Sequence, residues 1–211
     1  MHAWICFGAV LFTVASATAE EVEMVTLPPP QTTGGMPLMQ ALQARHSSRE
    51  FSGRALEPQQ LANLLWAAAG MNRVDSGKRT APSAHDWREV DIYVAKASGT
   101  YLYDATAHVL HRVLKTDVRA RTGSQEFVAS APLNLVYVAD RRRMQDATDE
   151  DKDRYAAADT GFIAQNVYLY CASAGLNTVV RGLLDRKALA DALKLAPQQR
   201  VILAQSVGYP L

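Results

Sequence analysis

Apolar and polar positions divide the chain into alternating helix and strand candidates. MPLMQALQARHS, Met36 to Ser47, places Leu38, Met39 and Leu42 at helical spacing and predicts a helix ending near His46. EPQQLANLLWAAAG, Glu57 to Gly70, predicts a second, with Pro58 in the first turn, a stripe of Leu61, Leu64 and Leu65, and Gly70 closing the end. Four short runs rich in β-branched or aromatic residues predict strands: VDIYVA (Val90 to Ala95), NLVYVA (Asn134 to Ala139), NTVVRG (Asn177 to Gly182) and RVILAQSVG (Arg200 to Gly208). Ala156 to Ala174 reads as a helix almost free of charge after Asp159, which predicts burial on most sides, and it stops at Gly175. A further helix starts from Asp185 as N-cap and runs to Leu195. The alternation predicts an α/β or α+β architecture around a near-apolar helix.

The N-terminus has a different pattern. Ala3 to Ala17 is almost wholly apolar, and Ala17-Thr18-Ala19 has the small-x-small form of a secretory cleavage site, so residues 1–19 read as a signal peptide. The run is shorter than the ~20 apolar residues that span a bilayer. Export to the periplasm or secretion is the expectation, with no stable membrane insertion after cleavage. Glu20 to Gly35, with Pro28-Pro29-Pro30 and Gly34-Gly35, shows no apolar period and reads as a flexible leader; the domain is expected over 36–211. Cleavage would remove Cys6 and leave Cys171 alone, so no intrachain disulfide could form. Cys171 lies in the apolar run NVYLYCASAGL and reads as a small buried residue.

At 211 residues, 48% hydrophobic and 20% charged with a net charge of +1, the chain suits one globular domain, and nothing in its charge suggests a nucleic-acid partner. Three stretches could carry chemistry. In ARHSSREF, Ala44 to Phe51, two arginines and two serines could hold a phosphate. On spacing alone the readier reading is a solvated helix end with an arginine paired to Glu50 or a distant acid, since arginine pairs are common on surfaces. RTAPSAHDWREVDIYVA, Arg79 to Ala95, carries polar side chains from a turn directly into a strand, as a binding loop or as a plain solvated turn. SAGLNTVVRG, Ser173 to Gly182, joins a buried helix to a strand ending in Arg-Gly, where Gly182 could admit a planar ligand or simply turn the chain. Nucleotide-binding glycine motifs, the HExxH and paired CxxC metal motifs and G-x-S-x-G are all absent from the sequence, so no metal site is expected.

Taken in order, these stretches resemble the nitroreductase-like flavoproteins, whose N-terminal signature Arg45-His46-Ser47-Ser48-Arg49-Glu50-Phe51 matches at every position. LLWAAAGMNR, RTAPSA, DTGFIAQNVYLYCASAGL and the closing VGYP are most similar to the subgroup related to peptide azoline oxidases. The resemblance covers Leu38 to Pro210. It implies an α+β sandwich, a central, mostly antiparallel sheet flanked by helices with a long buried central helix, binding FMN at a homodimer interface. Arg45, His46, Ser47 and Arg49 match positions that hold the FMN phosphate and the ribityl or ring edge, and Pro82, Ser83 and Ala84 match the loop beside the isoalloxazine. Asp86 stands where many relatives place a ring-bonding asparagine, and a carboxylate donates only when protonated. Val180, Arg181 and Gly182 match the segment whose backbone amide faces flavin N5. Many relatives also end in a basic segment, whereas this sequence stops at Leu211. The implied activity is FMN-dependent electron transfer to a small organic acceptor, with no side chain assigned as catalytic. His85, Asp86 and Arg181 are candidates for lining the substrate side. The alternative is a flavin- or small-ligand-binding protein without turnover.

Overall fold

The four predicted strands lie side by side with three others in one antiparallel sheet. The computed structural model describes residues 23–211, and the expected signal segment lies outside them. In chain order the elements are β1 (Met24–Thr26), α1 (Leu38–Ala44), α2 (Pro58–Ala69), β2 (Met71–Arg73), β3 (Lys78–Arg79), β4 (Val90–Lys96), β5 (Gly99–Asp104), β6 (Val109–Leu114), α3 (Phe127–Ser130), β7 (Leu133–Asp140), α4 (Asp149–Ala174), β8 (Asn177–Arg181), α5 (Arg186–Ala192) and β9 (Gln199–Gly208). The large sheet has the order β1-β6-β5-β4-β7-β9-β8, and β2 with β3 forms a separate hairpin. Every pairing is antiparallel. This is the expected α+β sandwich.

Alternation along the central strands builds two cores. Ile92 and Val94 of β4 and Leu135 and Tyr137 of β7 face the larger one, against Leu61, Leu64 and Leu65 of α2 and Ile163, Val167 and Cys171 of α4. Tyr93, Ala95, Val136 and Val138 face the other way, against Leu189 and Leu193 around α5. Because both faces of β7 are covered, all eight of its residues are buried and its sequence is apolar almost throughout.

Three expectations change. Residues 23–35 are built into the fold: β1 pairs with β6, Leu27 is buried in the larger core, and His108 Nε2 lies 3.1 Å from the Pro28 carbonyl. A strand of three residues followed by three prolines is too short to show a period, so the stretch read as a flexible leader. Second, α4 starts at Asp149, seven residues before the expected start, with the Thr148 hydroxyl accepting from the Asp151 amide and Asp149, Glu150 and Asp151 in the first turn. Third, α4 is not buried on most sides within one chain: Ala157, Ala158, Gly161, Phe162 and Gln165 are exposed.

The helix stops combine prediction and surprise. Gly175 ends α4 in the left-handed region at φ 67°, as glycine readily does. Gly70 ends α2 with extended backbone, and its missing Cβ is what the site requires, since one would lie 2.4 Å from Trp66 Cδ1. The Asp185 side chain caps α5, accepting from the Ala188 amide at 3.0 Å, but the helix closes at Ala192, before the expected Leu195.

Candidate functional site

The ARHSSREF segment leaves α1 at Ala44 and loses helical geometry at Arg45. It then runs beside the free edge of β8, where the Ser48 amide donates to the Thr178 carbonyl at 3.0 Å and the Asn177 side-chain amide donates to the Glu50 carbonyl at 2.7 Å. Tyr168 of α4 ties the cluster together. Its hydroxyl lies 2.8 Å from Ser47 Oγ and accepts from the Val180 amide at 2.9 Å, while the Arg45 guanidinium sits 5.3 Å from the centre of its ring. Among the described residues neither the Arg45 nor the Arg49 side chain makes an ion pair or a hydrogen bond, so Glu50 is not their partner. His46 is exposed, with Nδ1 2.9 Å from the Ala44 carbonyl.

A second cluster surrounds the Pro82-Ser83-Ala84 turn, where a cavity of about 300 Å³ opens between the β2–β3 hairpin, the start of β4 and α4. Arg73, Lys78, Arg79 and Arg88 line it together with Pro82, Ser83, Asp86, Glu89 and Asp159, and Ala69, Ala81, Val90 and Ile163 supply apolar wall. The turn is held from below by two acids. The Ala84 amide donates to Asp159 Oδ2 at 2.8 Å; the Ser83 hydroxyl donates to Glu89 Oε2 at 3.2 Å and accepts from the Arg88 amide at 2.8 Å. His85, Asp86 and Arg88 all take positive φ, near 50–59°, without being glycine. Such backbone persists only when its surroundings fix it. Here the two acids fix one side, and stacking of His85, Trp87 and Tyr155 fixes the other.

Charge in this cluster is unevenly matched. Asp86 takes a bidentate pair from Arg88 and a 2.9 Å ion pair from Lys78, which hold its carboxyl well below the usual range. It is therefore an ionised, acceptor-only group, which rules out the ring-donor role of an asparagine at that position. Burial pushes the Glu89 carboxyl up, and the Asp159 carboxylate beside it adds to the effect. Glu89 is fully buried and its Oε1 has no partner among the described residues. Burial lowers Arg79, and the nearby Arg88 and Arg143 lower it further.

The third predicted stretch divides between the two faces of the sheet. Val180 packs against the larger core and its amide points off the free edge, toward Tyr168. Arg181 points to the opposite face, where it donates to the Thr122 carbonyl, Asn134 Oδ1 and Ser206 Oγ and is 4% exposed. That corrects its expected place on the substrate side: strand alternation turns it away from α4. At Gly182 an added Cβ would make only ordinary contact, 3.6 Å from Leu203 Cδ2, so nothing within one chain demands a glycine there. His85 lies on the aromatic side of its turn, outside the cavity wall.

Thus the structure gathers Arg45, Ser47 and Val180 around Tyr168, with Arg49 in the same segment, and Pro82, Ser83, Ala84 and Asp86 at another site. Four further residues were not singled out from sequence. Tyr168 sits in an apolar run and reads as core. Arg79 and Glu89 flank the turn but read as ordinary strand-end charges. Asp159 had the clearest signal, being the last acid of a helix that is otherwise apolar beyond it.

Comparison with known proteins identifies the family of the chain. The sequence profile of the nitroreductase family matches residues 42–209. A nitroreductase-like protein of Methanocaldococcus jannaschii is 31% identical over 161 residues, covering 72% of this chain and 81% of that protein. A crystal structure of a nitroreductase-like protein from Ralstonia eutropha superposes with a TM-score of 0.86 at 47% identity, covering 89% of this chain and 90% of the other. Fold alone is shared with two more distant structures. The Escherichia coli microcin synthetase McbBCD complex gives a TM-score of 0.68 at 18% identity, covering 93% of this chain and 84% of that one. The NADPH:FMN oxidoreductase of Vibrio harveyi gives 0.62 at 22%, covering 82% and 68%. With its sheet order, its long helix and the match over 42–209 in agreement, the chain belongs to the nitroreductase family.

Proposed function

We propose that the protein is an exported, homodimeric oxidoreductase that binds FMN and passes electrons to a small organic acceptor. The observation that carries this reading is the pair of arginines left without ion pairs beside Ser47: Arg45 and Arg49 have the charge and fork geometry to take a phosphate. The residues present fit the cofactor at that end. Ser47 adds a hydroxyl, and the Val180 amide lies nearby on the same sheet edge. When bound, the flavin would supply redox chemistry between an electron donor and the acceptor. The chain's part would be to hold the phosphate on Arg45, His46, Ser47 and Arg49, and to set the Val180–Gly182 segment of the sheet edge beside the ring, with the Val180 amide held by the Tyr168 hydroxyl. Pro82, Ser83 and Ala84 shape the second cluster, where Asp86 orients Arg88 and Lys78.

Two features support a dimer. Leu38, Met39 and Leu42 of α1 are 62%, 75% and 43% exposed, and Phe162 on α4, the helix against which α1 packs, is 48% exposed. A second copy covering these helices would also bring the clusters together from two chains. Within one chain no hydrogen bond or ion pair among the described residues links them, and Asp159 and Tyr168 lie about 14 Å apart along α4. Export removes the protein from the cytoplasmic supply of reduced nicotinamides, so the donor in this reading is another reductant. Relationship to an NADPH:FMN oxidoreductase supports the flavin without deciding the donor.

The test is the absorbance of the purified protein and its behaviour after anaerobic photoreduction. Bound flavin absorbing near ~450 nm and rapidly reoxidised by a quinone is the expected result. Flavin that binds but stays reduced would instead make this a binding protein.

A further inference from the structure

Three contacts from two other parts of the chain converge on the Tyr168 side chain of α4. Its hydroxyl lies 2.8 Å from Ser47 Oγ and 2.9 Å from the Val180 amide, and the Arg45 guanidinium sits 5.3 Å from the centre of its ring. A phenol hydroxyl has one proton to give and lone pairs to receive. The Val180 amide can only donate, so it occupies a lone pair. Burial then sets the direction of the bond to Ser47. With Ser47 as donor, the Tyr168 proton would have no acceptor among the described residues, in a side chain only 7% exposed. Leaving a buried donor unmatched costs ~1–3 kcal/mol. With Tyr168 as donor both protons have a place, because Ser47 is exposed and its own proton is free for a further acceptor.

We propose that Tyr168 is a positioning residue for the FMN phosphate, acting through Ser47: one chain of donors runs from the Val180 amide to the Tyr168 hydroxyl, from there to the Ser47 hydroxyl, and ends on a phosphate oxygen. Each bond in such a chain polarises the next, so the sheet-edge amide strengthens a donor that it does not touch. The last donor is the exposed one, and it lies in the segment that carries Arg45 and Arg49. The ring has a second part, since its face holds the Arg45 guanidinium beside the same serine. The two parts are separable: Tyr168→Phe keeps the ring for Arg45 and breaks the chain at its middle hydroxyl. This deepens the proposed function by adding a residue to its phosphate site, and it rests on that reading for the identity of the anion.

The test is a double-mutant cycle between Tyr168 and Ser47, read by fluorescence titration of FMN and of riboflavin, which lacks the phosphate, into the full chain. Ser47→Ala should weaken FMN about tenfold and Tyr168→Phe about fivefold. The doubly substituted protein should bind FMN no more weakly than Ser47→Ala does, because both changes cut the same chain. Ser47→Thr, which keeps the hydroxyl, should recover most of the affinity that Ser47→Ala loses. Riboflavin affinity should change by less than about twofold in every variant, an outcome that a loss of packing alone would not give. Circular dichroism checks that each variant folds. Losses that multiply, to about fiftyfold in the double variant, would overturn the proposal, because independent changes add in free energy. Wild-type FMN affinity in Tyr168→Phe, or an equal loss of riboflavin, would overturn it as well, and the arginine clamp would survive each of these results. No uptake of FMN by the wild-type protein would overturn the clamp and the Tyr168 chain together.

Discussion

Single residues show how charge is managed when burial and binding compete. Arg181 is buried with three neutral acceptors and no carboxylate, and its pKa comes down to about 10. Arg181→Ala should cost about 3 kcal/mol in urea unfolding, from a cavity plus unsatisfied Asn134, Ser206 and Thr122 groups, while leaving any FMN affinity nearly unchanged. Glu89 is shifted the other way. Its folded pKa lies above the ordinary 4.5, so the native state binds the extra proton; the associated stability is full below that value and is lost as pH rises through the raised one. Thermal unfolding followed as pH is raised from below 4.5 should show wild-type losing stability through the raised pKa and Glu89→Gln losing less. Cys171 is buried in the larger core, and burial pushes its thiol far up. A thiol reagent should leave it untouched in the native protein and label it in denaturant.

Elements explain what the sequence made legible and what it hid. The four central strands and α2 were readable because each buries a regular face: Leu61, Leu64 and Leu65 repeat on α2, and β7 is apolar along its whole length. β5 and β6 were not, because Thr100, His111 and Arg112 interrupt their apolar positions and a tight turn at His108 joins them. β1 and Leu27 were hidden by a proline-rich setting. Leu27→Ala should cost about 2–3 kcal/mol if that segment is part of the core, and close to nothing if it is a leader; chemical denaturation separates the two. At the site, residue types in ARHSSREF suggested an anion clamp, yet the partners that arrange it, Tyr168 and the β8 edge, lie more than a hundred residues away. The same holds for Asp159, 75 residues from the amide it fixes. Local pattern reports which face a residue takes on its own element; it does not report which distant element meets it.

At the scale of the whole molecule, the proposed function combines the unpaired arginines at the sheet edge with the exposed apolar faces of α1 and α4 in one arrangement, a dimer that would close around a flavin. Leu42→Glu places a charge in the exposed α1 face and should shift the protein to a monomer in gel filtration, with FMN affinity falling in parallel. The central claim is that ARHSSREF clamps the FMN phosphate, and it is tested most directly by fluorescence titration of FMN into wild-type protein and Arg45→Gln/Arg49→Gln. Saturable uptake by wild-type and at least a tenfold weaker affinity in the double variant, with riboflavin, which lacks the phosphate, bound equally by both, is the predicted result. Equal FMN affinities in the two proteins, or none in wild-type, would contradict it.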